Sequence, residues 1–369
     1  MKRTGGLWER ITSFENLYAA ARQARKGKRV NPVVMAFEDH LEENLLLLRQ
    51  ELLDQSYLPG SYNCFEIFEP KPRLISAAPY RDRVVHHALV QVIGPIFEST
   101  FIRDSYANRT GFGTHRALWR FTQFLRSSRY VLQCDIRKFF PSLDQEVLKA
   151  LLRRKLKCSG TLWLLDTILD TGPDQPEAIV FFPGDTLFTP YERRRGLPIG
   201  NLTSQFLANV YLNPLDHFVK ETLGMGKYVR YVDDFALFDN DRARLEAAQR
   251  RIAGFLAGIR LSLHLGKTRL ADTRDGACFV GFRILQDRIR IRKGNLRRGR
   301  RRLRQMAWAY GRGRLPWEKV QERIHAWLAH LAHADSWHLR ENVLSHVTFH
   351  RDRACVPPGQ PGRELEQQQ

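Results

Sequence analysis

Two adjacent carboxylates, Asp233 and Asp234, lie within the run GKYVRYVDDFALF. Tyr228, Val229, Tyr231 and Val232 before them, and Phe235, Leu237 and Phe238 after, favour strands. The run predicts a β-hairpin with the Asp pair at its tip. Two carboxylates at a tight turn repel each other unless a cation neutralises them. A pair of Mg²⁺ ions would serve, with Mn²⁺ the alternative, and a third carboxylate is then expected on a neighbouring strand. Asp135, closing the strand-like run YVLQCD, supplies it. In two-metal phosphoryl transfer one ion lowers the pKa of an attacking 3′-hydroxyl and the other steadies a triphosphate. Asp135 and Asp233 are expected to bridge both ions, with Asp234 more peripheral and the main-chain carbonyl of Ile136 as a further ligand. The chemistry this implies is nucleotidyl transfer.

Other residues fit around that centre. Phe140 follows Asp135 at a short, fixed offset, and its ring under the sugar of an incoming nucleotide would clash with a 2′-hydroxyl, selecting deoxynucleotides. Lys267, in LSLHLGKTRL, is placed to reach the triphosphate and act as general acid for pyrophosphate departure. Lys71 and Arg73, on a second hairpin, are expected to fold over the nucleotide phosphates, where a guanidinium makes paired contacts.

The elements that must hold these residues alternate between strand and helix. Residues 7–56 read as helices joined by the basic connector ARQARKGKRVNP, 62–80 as a hairpin, and 82–97 as a helix. SYANRTGFGTHRALWRFTQFL opens on a Gly-rich turn and runs into a helix before the Asp135 strand. Helices at 144–157 and 161–170 precede an irregular insert, 171–195. GLPIGNLTSQFLANVYLNPLDHFV is a loop feeding an apolar helix. After the Asp233 hairpin come a helix at 241–258, a strand at 261–265 and a hairpin at 278–292. Carboxylates at strand ends in such an order predict an α+β fold, an antiparallel sheet backed by helices. The domain reading is a helical extension over 1–60, a mixed strand-and-helix region over 61–285, which the resemblance given below implies to be fingers and palm, a basic α-helical region over 286–355, by the same resemblance the thumb, and a disordered tail over 356–369.

With 59 basic against 39 acidic side chains, a formal charge of +20 and a pI near 10.1, the chain calls for a polyanionic partner. The basic run peaks at Arg297, Arg298, Arg300, Arg301, Arg302 and Arg304, interleaved with Leu296, Leu303, Met306 and Trp308, and predicts a folded helix on a nucleic-acid backbone. No apolar run approaches the ~18 residues of a membrane span, so no membrane partner is expected. The five cysteines are scattered without CxxC, which favours a reducing compartment and a cytoplasmic location. The spacing of His325, His330, His333, His346, His350 and Cys355 matches no tight zinc pattern.

The ordered set KPRLISAAPYRDRVVHHAL, DSYANRTGFGTHRAL, CDIRKFFPSLD, GLPIGNLTSQFLANVYLNPLD, YVDD, LGKTRL and FVGFRI resembles a reverse transcriptase over about residues 10–290. In most relatives the loop before the palm helix reads QGxxxSP. Here it is Ile199-Gly200-Asn201-Leu202-Thr203-Ser204-Gln205, a variant that resembles the reverse transcriptases of diversity-generating retroelements. The resemblance implies a right-hand polymerase of fingers, palm and α-helical thumb, with Asp135, Asp233 and Asp234 as the catalytic triad and Phe140 as sugar gate. It puts Ile199, Gly200 and Gln205 against the nucleotide, and losing an amide at 199 removes a hydrogen-bonding clamp, weakening base discrimination. It further implies a bacterial or phage-encoded enzyme, a template-repeat RNA copied into cDNA from deoxynucleoside triphosphates with adenine-directed errors, and a small basic accessory variability determinant protein. Retron and group II intron enzymes are the nearest alternatives. An RNA-binding chaperone that had lost the chemistry would have shed its carboxylates first.

Overall fold

The computed structural model describes residues 3–68, 72–172 and 180–351. Lys71, Cys355, the middle of the 171–195 insert and the 356–369 tail lie outside the described residues. The chain divides into two compact units, one running to Phe124 and from Tyr130 to Ala271, the other comprising Leu125–Arg129 and the residues from Asp272 on.

The first unit opens with four helices, α1 (Trp8–Thr12), α2 (Phe14–Ala24), α3 (Pro32–Asp39) and α4 (Leu41–Leu53). Their ends follow local chemistry: Ser13 accepts from the Asn16 N–H, and Asn31 caps α3 with Pro32 at its first position. Strands β1 (Asn63–Phe68) and β2 (Pro72–Ala77) form an antiparallel hairpin, and α5 (Tyr80–Glu98) follows, buried along most of its length. Next come α6 (Thr114–Arg126), β3 (Tyr130–Asp135), the single turn α7 (Phe139–Ser142), α8 (Gln145–Arg153), α9 (Ser159–Asp170) and the short α10 (Thr189–Glu192). Helix α11 (Leu202–His217) leads to β4 (Tyr228–Tyr231), β5 (Asp234–Asp239), α12 (Arg242–Gly258) and β6 (Arg269–Asp272).

A four-stranded sheet in the order β4-β5-β3-β6 is the frame of this unit, with β5 antiparallel to both neighbours. Its apolar side chains, among them Leu132, Tyr228, Phe235 and Leu237, join one core with α5, α8, α11 and α12. Alternation of β-branched and aromatic residues makes the strands, and burying them accounts for the core.

One expected strand is absent. Residues 261–265 make only an isolated bridge between Leu263 and Ile136. The Lys267 and Thr268 amides turn back onto the His264 carbonyl at 3.0 and 2.9 Å, so the segment curls before a ladder can form. The strand comes later, as β6. Helix α8 also ends at Arg153, short of the expected 157, because Thr4 pairs with the chain at Lys155 and Lys157.

The second unit holds a three-stranded antiparallel meander, β7 (Ala277–Phe279), β8 (Phe282–Ile284) and β9 (Ile289–Ile291), where two strands were expected. Helices α13 (Lys293–Gly311), α14 (Trp317–Leu331) and α15 (Trp337–Ser345) complete it. The α+β architecture with antiparallel sheets is the one expected.

Candidate active site

Strand register brings the carboxylates together. Asp135, the last residue of β3, is the direct cross-strand partner of Asp234, the first residue of β5. Tyr231 faces Asp234 on the other side, which leaves Val232 and Asp233 as the two turn residues of the β4–β5 hairpin. Asp233 alone therefore occupies the tip, and Asp234 belongs to the returning strand. The turn requires φ of +59° at Val232, a left-handed conformation that a β-branched residue adopts only under constraint.

The electrostatics carry the mark of crowded like charge. Burial, with the neighbouring Asp135 charge behind it, holds Asp233 above the usual carboxylate range. Burial, then the charges of Asp233 and Asp135, push Asp234 up to about 7. Asp234 keeps an exposed edge, so the like charges are the cause that persists when solvent reaches it. Two cations oppose this. Lys267 Nζ bonds both oxygens of Asp135 at 2.6 Å, and Arg73, on β2, exerts a positive field on Asp233.

A divalent metal fits this donor set. Carboxylate oxygens are hard ligands suited to Mg²⁺ or Mn²⁺. Among the described residues no three His, Cys, Asp or Glu side chains close into a ready metal cage. The Ile136 carbonyl takes no part in the neighbouring bridge. The bridge to Leu263 is built from Arg137 N–H to Ser262 O at 2.9 Å and His264 N–H to Asp135 O at 2.8 Å. Antiparallel geometry turns the groups of Ile136 itself to the opposite side.

The flanking loop is stitched to its surroundings by backbone. Gly196 and Leu197 donate to the carbonyls of Leu143 and Phe140 at 2.8 and 2.9 Å, seating the loop beside α7, where Phe140 stays half-buried. Ile199 accepts from the Ser76 amide of β2 at 2.9 Å. Gly200 has φ of +114°, and a Cβ there would stand 2.9 Å from Ile75, so strand β2 and the loop approach as only glycine allows. Gln205 is exposed in an otherwise buried stretch at the start of α11. The structure thus gathers Asp135, Ile136, Asp233, Asp234, Lys267 and Arg73 at one place.

Sequence reasoning overlooked three groups. Asn201, 3% exposed, closes the loop seam by accepting from Ala78 N–H at 3.0 Å and donating to Ser76 O at 2.8 Å. Thr114 and Tyr231 share a hydroxyl hydrogen bond of 2.9 Å. Arg230, fully buried, pairs with Asp216 and donates to the Val232 carbonyl. The missed signal was a charge inside an apolar strand, VRYV, matched by another inside an apolar helix.

In the second unit the six arginines of α13 do not share one face. Arg297, Arg301 and Arg304 line an open trough with Gln305 and Trp308. Arg298 and Arg302 line a separate cavity with Trp327 and His330 of α14, and Arg300 reaches Asn342 of α15 at 3.4 Å.

Residues 69–284, more than half of the chain, match the family described as reverse transcriptase (RNA-dependent DNA polymerase). The chain belongs to the reverse transcriptase family. Members are RNA-directed DNA polymerases that use divalent metal ions, and the fold is accordingly of the right-hand polymerase type. Protein YkfC of Escherichia coli (strain K12) is 26% identical over 292 residues, 68% of this chain and 73% of that protein. The group II intron-encoded protein LtrA of Lactococcus lactis subsp. cremoris is 25% identical over 210 residues, 56% of this chain but 33% of LtrA, so the chain spans about a third of that relative. A solved telomerase from Candida albicans, in complex with a TWJ fragment of telomeric RNA, overlaps 79% of this chain and 56% of its own at TM-score 0.45 and 15% identity. No helix among the described residues is long and apolar enough to cross a membrane.

Proposed function

We propose that this reverse transcriptase copies a template-repeat RNA into cDNA for a diversity-generating retroelement, misincorporating at template adenines and working beside a small basic accessory protein. Asp135 and Asp233 would hold two Mg²⁺ ions, with Asp234 and the Ile136 carbonyl as the remaining protein ligands. The ions, when bound, acidify the primer 3′-hydroxyl and neutralise charge on the triphosphate. Arg73, together with Lys71, steadies the phosphates. Lys267, which bonds Asp135, would serve as the proton donor to departing pyrophosphate. Phe140 excludes a 2′-hydroxyl, and Ile199, Gly200 and Gln205 line the base-selecting side. The β1–β2 hairpin forms part of the fingers, the four-stranded sheet is the palm, and α13 to α15 form the thumb, whose arginines take nucleic-acid phosphates.

The observation that carries the polymerase chemistry is the register Asp135–Asp234 with Asp233 in the adjoining turn. The loop Ile199-Gly200-Asn201-Leu202-Thr203-Ser204-Gln205 carries the retroelement type. A second reading, an intron-type enzyme, is favoured by the similarity to LtrA. Primer extension on an RNA template with Mg²⁺ and deoxynucleotides, followed by product sequencing, separates them. Errors concentrated opposite adenines support the retroelement type, and evenly spread errors support the intron type.

A further inference from the structure

The guanidinium of Arg230 has no solvent exposure, and no part of the proposed chemistry uses it. Its Nε and Nη2 donate to the two oxygens of Asp216 at 2.7 and 2.6 Å. Asp216 also accepts from the Tyr228 hydroxyl at 2.7 Å. Nη1 turns the other way, to Asn209 Oδ1 at 3.1 Å and to the Val232 carbonyl at 2.9 Å. Asn209 is anchored in turn by a 2.8 Å bond to Ala107 O. The Arg230 backbone is clamped as well, donating to Asp104 O at 2.9 Å and accepting from Tyr106 N–H at 3.0 Å.

Every direction of this side chain is thus fixed before it reaches Val232. Asn209 and Asp216 stand on one face of α11, two turns apart, and this is the helix whose first residues continue the Gly200 loop. Val232 is the residue in the left-handed conformation, and Asp233 comes directly after it. A β-branched residue relaxes out of that conformation unless its neighbours over-determine it. The β4–β5 ladder constrains the turn from its two ends, and the Arg230 bond constrains it from within.

We infer that Arg230 is a positioning residue, which locks the Val232–Asp233 peptide so that the Asp233 carboxylate points at the divalent cation. The inference rests on the reading of Asp233 as a metal ligand. A forked, planar donor is required, because one head group must serve a carboxylate on one side and two carbonyl-type oxygens on the other. A lysine in its place keeps the charge against Asp216 but cannot span both.

The test is Mn²⁺ binding to the full chain without nucleic acid or nucleotide, followed by the free-ion electron paramagnetic resonance signal. Arg230→Lys should weaken binding about tenfold, the loss typical of removing a group that orients a ligand. Tyr228→Phe removes a bond to Asp216 and leaves the Val232 contact, so it should lower the unfolding temperature without changing Mn²⁺ affinity. If Arg230→Lys does not fold, Asn209→Leu replaces it, since that change leaves the ion pair whole and strips the second acceptor that aims Nη1. Wild-type affinity in a folded Arg230→Lys or Asn209→Leu variant, with Asp233→Ala still weakening binding, would overturn the positioning role. Wild-type affinity in Asp233→Ala would instead remove the reading of Asp233 as a metal ligand.

Discussion

Two cation–carboxylate pairs lie beside the β4–β5 turn at the same 2.6 Å separation, in opposite surroundings. Arg230 and Asp216 have side-chain exposures of 0% and 0%, whereas Lys267 and Asp135 have 44% and 14%. The buried pair has surrendered its water, so its stability depends on partners inside the protein: all three guanidinium nitrogens of Arg230 donate, and both oxygens of Asp216 accept. The exposed pair is a single ammonium over a carboxylate in reach of solvent, worth little and readily exchanged. The buried pair reaches the turn through the Val232 carbonyl. The other leaves Asp135 with a solvent-reachable counter-ion, the one that the proposed divalent ion would displace.

Breaking each pair in turn sharpens that contrast. The reference is Asp233→Ala, which should reduce primer extension on the order of a thousand-fold or more, because it removes a ligand both ions are expected to share. Arg230→Met comes next. Leaving Asp216 buried without its partner should cost about 3–5 kcal/mol in urea denaturation of the metal-free chain. Equal stability for that variant would mean the buried pair contributes as little as an exposed one. Lys267→Ala should leave unfolding within about 1 kcal/mol of wild type and yet slow extension roughly a hundred-fold, as expected when a proton donor is lost. An unchanged rate would reduce Lys267 to a counter-ion. Phe140→Ala should raise ribonucleotide incorporation by about tenfold with little change for deoxynucleotides, measured by competition on one template.

The smallest effect concerns pH. Asp233 and Asp234 are raised in the folded chain, Asp234 to about 7. Between the ordinary carboxylate range near 4 and that value, the folded state holds more protons than the unfolded one. This contribution to stability is therefore present at acid pH and is lost as pH rises towards 7. Thermal unfolding without metal should show the loss, Asp234→Asn should flatten it, and Mg²⁺ should offset it near neutrality. A metal-free stability that rose over this window by the same amount in wild type and Asp234→Asn would contradict the crowding of these carboxylates.

The hairpin, the long helices and the gathering of Asp135 with Asp233 and Asp234 were legible in the sequence, because period-two alternation and paired carboxylates are local signals. The turn position of Asp233 needed the register, which depends on pairing between distant strands. Arg230 and Asp216 lie fourteen residues apart, and nothing local says that two charges in apolar runs will meet. The 261–265 strand failed for a related reason: its alternation suits a ladder, but the Gly266 turn competes and wins. The arginines of α13 were legible as basic and as helical. Their division among three faces depends on where α14 and α15 pack.

The seam between the 196–201 loop and strand β2 is made by main-chain atoms of Ser76 and Ile199, by the side chain of Asn201, and by the missing side chain at Gly200. The side chain of residue 199 is not among its bonds. Position 199 can therefore change identity over evolutionary time while the joint stays closed, and position 200 cannot. On the proposed reading, with residue 199 against the nucleotide, such an enzyme would carry an adjustable dial in a fixed mount, its accuracy open to selection without the fold being renegotiated.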